Sequence, residues 1–317
     1  MDKEIKNKID ELFYSTGRYQ NGSEFMKLLD FCKKFHYLAP YNAMLVHMQR
    51  PGAIYVNTAS WWLKKYNMRV KPTARPLIIL VPFGPVDYVF DADDIEGDYL
   101  SYLPEEILNP FKTEGKISVV SYNNLLNNLK YFGIRFEKIA YGTQQHAKIE
   151  LLKNPSYNGF NITNKKIEFK INLPEYYLIT VNNKSDREAI FAAVAHELAH
   201  FFCEHLIPPH KVDWWNVRVL NHKEEEFEAE TVAWLICERH GIKNPSAKYL
   251  SEYLDGSKVP NISLENVLKA TNKIEALLLS MNINDGLLAK KDETVKKQLQ
   301  EIKKKTTKNT QQKIDYN

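Results

Sequence analysis

The stretch AHELAHFFCEH, from Ala195 to His205, sets two histidines four residues apart, a glutamate beside the first, and a third histidine five residues past the second. Residues i and i+4 of a helix project from one face, one turn apart. His196 and His200 can therefore bind a single zinc ion, each through a ring nitrogen at about 2.0–2.1 Å. Glu197 stands next to the first ligand, where the H-E-x-x-H arrangement uses a glutamate as general base toward water. The flanks, FAAVA before and FF after, are apolar. The helix is expected to be buried except at this polar cluster, whose members need partners because unpaired polar groups inside a protein are costly. The competing reading is a pair of core histidines hydrogen-bonded to acids.

Upstream, NNKSDREAIF supplies a helix start, with Ser185 as N-cap and Glu188 completing a capping box. The helix is expected to reach about Leu206, where Pro208 and Pro209 stop it. Downstream, KEEEFEAETVAWLICERHG predicts a second helix ending at Gly241 with Arg239 and His240 in its last turn. Glu226 and Glu230 are again i and i+4. A zinc hydrolase needs a third protein ligand and a group that orients a ligating histidine. Glu226 is assigned as the ligand and Glu230 as the orienting carboxylate, because the residue four positions after Glu226 is acidic, whereas that after Glu230 is Trp234. Glu228 is the fallback ligand, and Glu224 and Glu225 read as a solvated face. His205 is the rival third ligand, but its position past His200 turns it partly away from the metal face. Cys203 and Cys237 read as small buried hydrophobes.

The chain has 317 residues, 44% hydrophobic and 26% charged, as expected of a globular protein with a sizeable core. No apolar run approaches the roughly 18–20 residues of a membrane span. MDKEIKNKIDELF at the start resembles an amphipathic helix with no signal-peptide core. Three cysteines without a C-x-x-C pair argue against a disulfide framework and for a reducing, cytoplasmic location. From Lys290 onward nine lysines face four acids, and this Lys/Thr/Gln-rich end, 286–317, is expected to be a solvated, disordered tail.

Helical patterning opens the first part. SEFMKLLDFCKKF carries Phe25, Leu28, Leu29 and Cys32 on one face, and YNAMLVHMQ and ASWWLKKY follow as helices. PLIILVPF and VDYVF read as strands of a hairpin. Aromatic residues (Tyr41, Tyr55, Trp61, Trp62, Tyr66) alternate with Arg50, Lys64, Lys65, Arg69, Lys71 and Arg75, the mixture used to stack and neutralise single-stranded nucleic acid. Half of those aromatics can equally be core. Trp61 and Trp62 lie about 100° apart on a helix, so at most one is expected at the surface. The middle of the chain mixes a helix, NNLLNNLKYFG, with strands KIEFKINL and YYLITV.

With these motifs in place, the chain resembles the ArdC-type antirestriction proteins and, more distantly, the ImmA/IrrE metallopeptidases. AHELAH followed by EEEFEAETVAWLICERHGI is similar to their metallopeptidase domain, and YNAMLVHMQRPGAIYVNTASWWLKKYNMRVK to the ArdC amino-terminal domain. The family's glycine-rich turn after V-K is PTARP here, and its usual histidine four residues after H-E-x-x-H falls on Glu204. The resemblance implies a single-stranded-DNA-binding domain joined to a zincin-like peptidase.

The resulting expectation is an α+β chain. Residues 1–110 form an ArdC-like, DNA-binding domain, 111–285 a mainly helical zincin-like domain, and 286–317 the tail. Zinc is held by His196, His200 and Glu226, Glu197 is the catalytic base, and a protein is the substrate. The alternative is a non-catalytic single-stranded-DNA-binding antirestriction protein whose metal is structural. An open coordination position separates the two, since structural zinc sites are closed.

Overall fold

A computed structural model describes residues 18–81, 86–97, 115–140, 147–164, 167–209, 214–242, 250 and 258–314. The expected helix at KIDELF lies outside these residues. In chain order the helices are α1 (Gly22–Lys34), α2 (Pro40–Gln49), α3 (Ala59–Tyr66), α4 (Val119–Asn128), α5 (Arg187–Phe202), α6 (His222–Arg239), α7 (Leu264–Leu277), α8 (Leu287–Lys291) and α9 (Glu293–Ile314). The strands are β1 (Val56–Asn57), β2 (Leu77–Ile79), β3 (Asp87–Asp91), β4 (Ile134–Ile139), β5 (Ala147–Asn164) and β6 (Ile167–Asn182). The fold is α+β, as expected. Two compact units divide it, 1–116 with 221–272 and 117–220 with 273–317, so each is built from two separate stretches of chain. Among the described residues no helix is long and apolar enough to cross a membrane.

In the first unit Asn21 caps α1 by accepting from the Ser23 amide at 2.9 Å. The predicted face is fully buried: Phe25, Leu28, Leu29 and Cys32 are each 0% exposed. Each such large apolar side chain contributes roughly 1.5–3 kcal/mol through burial. Phe25 meets Phe227 of α6 with ring centroids 5.7 Å apart, and Lys33 pairs with Glu238. Arg239, at the end of α6, is itself buried and donates to the carbonyls of Cys32 (2.6 Å), His36 (3.0 Å) and Leu38 (2.9 Å). The Cys32 carbonyl lies in the last turn of α1, where carbonyls lack helical partners and carry partial negative charge, and those of His36 and Leu38 lie just beyond that end, so a buried cation is well placed there. The small sheet runs β1-β3-β2 with antiparallel pairs, Leu77 opposite Val89 and Val56 opposite Asp91.

In the second unit β6 is the central strand, parallel to β4 and antiparallel to β5. The long β5–β6 hairpin has a bulge between Leu151 and Ser156. Its inner residues Ile171, Leu173, Tyr177, Ile179 and Val181 are buried, and α5 packs on the sheet through Phe201 against Tyr177, centroids 5.3 Å apart.

Two expectations for α5 are corrected. Its N-cap is Asp186, accepting from the Ala189 amide at 2.8 Å, because Asn182 turns the chain through Ser185 first. The helix ends at Phe202, before the prolines, since Glu204 takes a left-handed conformation with φ of 65°. The tail expectation is corrected as well. α9 extends from Glu293 to Ile314, with Val295, Leu299, Ile302 and Thr306 buried along one face. It is tied to β6 by Gln298, whose side chain exchanges hydrogen bonds of 2.9 and 3.0 Å with the Asn172 backbone.

Arg239→Ala strands several carbonyls together, and each buried unsatisfied polar group costs on the order of 1–3 kcal/mol. The variant should lose about 3 kcal/mol of stability in urea unfolding. An unchanged midpoint would show that these hydrogen bonds are not stabilising.

Candidate metal centre

α5 is buried on most of its circumference by Ile190, Phe191, Val194, Ala195, Leu198, Ala199, Phe201 and Phe202. The half-buried positions are Glu188, Ala192, Ala193, His196, Glu197 and His200, a single stripe at i, i+4, i+5, i+8, i+9 and i+12. Two small alanines thus precede the histidines on the one face that is open. Room and polarity coincide there.

The Nε2 atoms of His196 and His200 face each other at 3.1 Å, with ring centroids 4.9 Å apart. Two nitrogens bound to one tetrahedral ion at about 2.0–2.1 Å would be about 3.3 Å apart. The rings are therefore already spaced as joint ligands. Glu197 is held from the other side: its Oε2 accepts from the backbone amide of Ile149 in β5 at 2.8 Å. The amide fixes one carboxylate oxygen and orients the side chain.

α6 carries its own capping box, in which Asn221 accepts from the Glu224 amide and the Glu224 carboxylate accepts from the Asn221 amide, both at 3.0 Å. Glu224, expected on a solvated face, is thus part of the helix start. Glu226 is half-buried, with the His222 ring 3.7 Å from one oxygen. Glu228 is fully buried and accepts from the Ser263 amide at 2.7 Å. His196 and His200 belong to the second unit and Glu226 to the first, so its role as third ligand is taken up as a proposal below. Two imidazoles and a carboxylate are the donor set that zinc takes in hydrolases. A relay of three neutral imidazoles, His196 to His200 to His205, meets the same nitrogen distances without an ion. The Glu197 carboxylate, oriented on the same stripe by the Ile149 amide, is what such a relay does not require.

The contact that His205 makes with His200 was not foreseen from the sequence. The His205 Nδ1 lies 3.0 Å from Nδ1 of His200, on the side of that ring opposite His196 and so off the face where the two Nε2 atoms meet. The Ile149 amide was also not foreseen, because β5 was not recognised as a strand. The alternation Ile149, Leu151 in AKIELL was the available signal.

The nucleic-acid candidates divide. Trp62 is fully buried and its indole N–H donates to the Phe90 carbonyl at 3.1 Å, so it is a core residue and cannot stack on a base. Arg50 is spent on Asp94 at 2.7 Å, and Lys71 on the Asp93 carbonyl at 2.7 Å. Lys64, Lys65 and Arg69 are exposed, and Lys65 lies 5.3 Å above the half-buried Trp61 ring.

Compared with known proteins, the chain matches no family model, no curated protein and no solved structure. The reading of the centre therefore stands on its own geometry.

If Glu226 is a ligand and Glu230 an orienting group, Glu226→Ala should remove most zinc affinity in competitive chelator titrations. Glu230→Ala should weaken it by about 10–100-fold. Equal losses, or the reverse order, would reassign the third ligand.

Proposed function

We propose that the chain is a zinc-dependent peptidase of the H-E-x-x-H type. The observation that carries this reading is Glu197, whose carboxylate the Ile149 amide orients on the same half-open stripe as the paired Nε2 atoms of His196 and His200. Zinc would be held by His196, His200 and Glu226, and when bound it would supply Lewis acidity toward a water molecule and a scissile carbonyl. Glu197 would take a proton from water at its carboxylate and return it to the leaving amine. The apolar walls of α5 exclude bulk solvent on the other sides, which strengthens every charge interaction at the stripe. The resemblance of AHELAH and the following glutamate-rich helix to the ArdC-type and ImmA/IrrE metallopeptidases supports the same reading.

A second activity is proposed for the amino-terminal segment: contact with single-stranded DNA through Trp61, Lys64, Lys65 and Arg69. Exposed Lys64, Lys65 and Arg69, with Lys65 above the Trp61 ring, favour it, since stacking and phosphate neutralisation are the two elements such binding uses. Labelled single strands should bind more tightly than duplex, with affinity falling steeply as salt rises. Equal and salt-insensitive binding to both would rule this out.

Glu197→Gln keeps an oxygen able to accept from the Ile149 amide but cannot take a proton. Zinc content and melting temperature should be retained while hydrolysis of unstructured peptides falls about 10²–10⁴-fold. Cleavage at the parent rate would refute the assignment of Glu197 as base.

A further inference from the structure

α5 ends in an unusual way. The Glu204 amide donates to the Phe201 carbonyl at 3.3 Å, and the His205 amide donates to the His200 carbonyl at 3.0 Å. These are the two hydrogen bonds of a Schellman turn, which places a left-handed residue just past the helix. That residue is normally glycine. Here it is Glu204, at φ of 65°, one of two non-glycine residues with positive φ among those described. A left-handed conformation is disfavoured for a residue with a Cβ, and strain of this kind persists where the surroundings over-determine it.

The surroundings do so. The Arg218 guanidinium donates to the Cys203 carbonyl at 3.0 Å, the Trp215 indole to the Leu206 carbonyl at 2.8 Å, and the Tyr177 hydroxyl to the Ile207 carbonyl at 2.7 Å. Three side-chain donors thus grip the backbone on both sides of His205. The product of the turn is the contact described above: the His205 ring stands edge-on to His200, centroids 5.2 Å apart and planes 66° apart, with the two Nδ1 atoms 3.0 Å from each other.

We infer that His205 is a positioning residue that accepts a hydrogen bond from His200 Nδ1–H, and that the strained turn at Glu204 exists to hold it there. This inference rests on the proposed metal role of His200. A histidine that ligates through Nε2 carries its proton on Nδ1, and the partner of that proton sets the ring's orientation and its basicity as a ligand. His200 Nε2 faces His196, so its Nδ1 is the donor. His205 Nδ1 is then the acceptor, and the His205 proton is on Nε2. His205 therefore acts on the metal through His200.

The test uses the full chain and zinc alone. Parent stoichiometry comes first: a parent that takes up no zinc overturns the metal reading and this inference with it. With zinc bound, His205→Phe keeps a ring but no acceptor, and zinc affinity should fall about 10–100-fold. His205→Asn puts an amide oxygen where Nδ1 stood and should restore most of that affinity. Glu204→Gly keeps the left-handed turn without the Cβ strain, so its melting temperature should rise. In zinc-loaded, nitrogen-labelled parent protein, a scalar coupling across the N–H···N bond between the two Nδ1 atoms should be seen, and this readout does not depend on any variant folding. Parent-like affinity in His205→Phe, or absence of the coupling, would overturn the inference while leaving the metal reading intact. Loss far beyond 100-fold without rescue by His205→Asn would make His205 a direct ligand and overturn it too.

Discussion

The candidate centre depends on how α5 is buried. Apolar side chains cover most of its circumference, and one stripe is left half-open. Because α-helical geometry puts i, i+4 and i+8 on that stripe, the histidines share a face before any ligand arrives. Rigidity follows from the packing of Phe201 on Tyr177 and Phe202 on Phe132, aromatic contacts with centroids 5.3 Å apart in each case. A metal centre needs ligands held to within a fraction of an ångström, and a helix locked against a sheet supplies that better than a loop. The polar atoms are then fixed one by one from outside the helix: Glu197 by the Ile149 amide, His200 by His205.

Parts of this were legible in the sequence because they are local. Helical periodicity identified Phe25, Leu28, Leu29 and Cys32 as a buried face, and all four are. The four-residue spacing of His196 and His200 implied facing nitrogens, which the structure has. The adjacency of Trp61 and Trp62 implied that one must be internal, and it is Trp62. What was not legible depends on groups distant in sequence. Arg239 was taken for a helix-end charge, yet its partners are carbonyls some two hundred residues earlier. Ile149 offers a backbone amide, which no side-chain pattern reports.

Two misreadings have a different origin, in which a real local signal was outweighed by a wrong one. Glycine marks most left-handed helix ends, and Glu204 carries no such mark, so the sequence extends α5 to the prolines and gives no sign of the contact between His205 and His200. In the carboxy-terminal region, lysine-rich composition was weighed above periodicity. Val295, Leu299 and Ile302 recur at helical spacing, and together with Leu288 they are buried. A helix needs only one apolar stripe to dock, and lysines on the remaining faces do not oppose it. Burial also decides the chemistry of the cysteines: the Cys32 thiol is pushed up to about 12, which leaves it a packing residue and not a nucleophile.

The central claim is that His196 and His200 offer zinc two imidazole nitrogens in a site completed by oxygen. X-ray absorption at the zinc edge of the reconstituted full chain tests this most directly, because it counts and identifies the atoms around the ion. The account predicts two imidazoles at about 2.0–2.1 Å with the rest of the shell made of oxygen, and no sulfur. A sulfur neighbour at about 2.3 Å, or a closed shell without an oxygen ligand, would contradict it and mark the metal as structural.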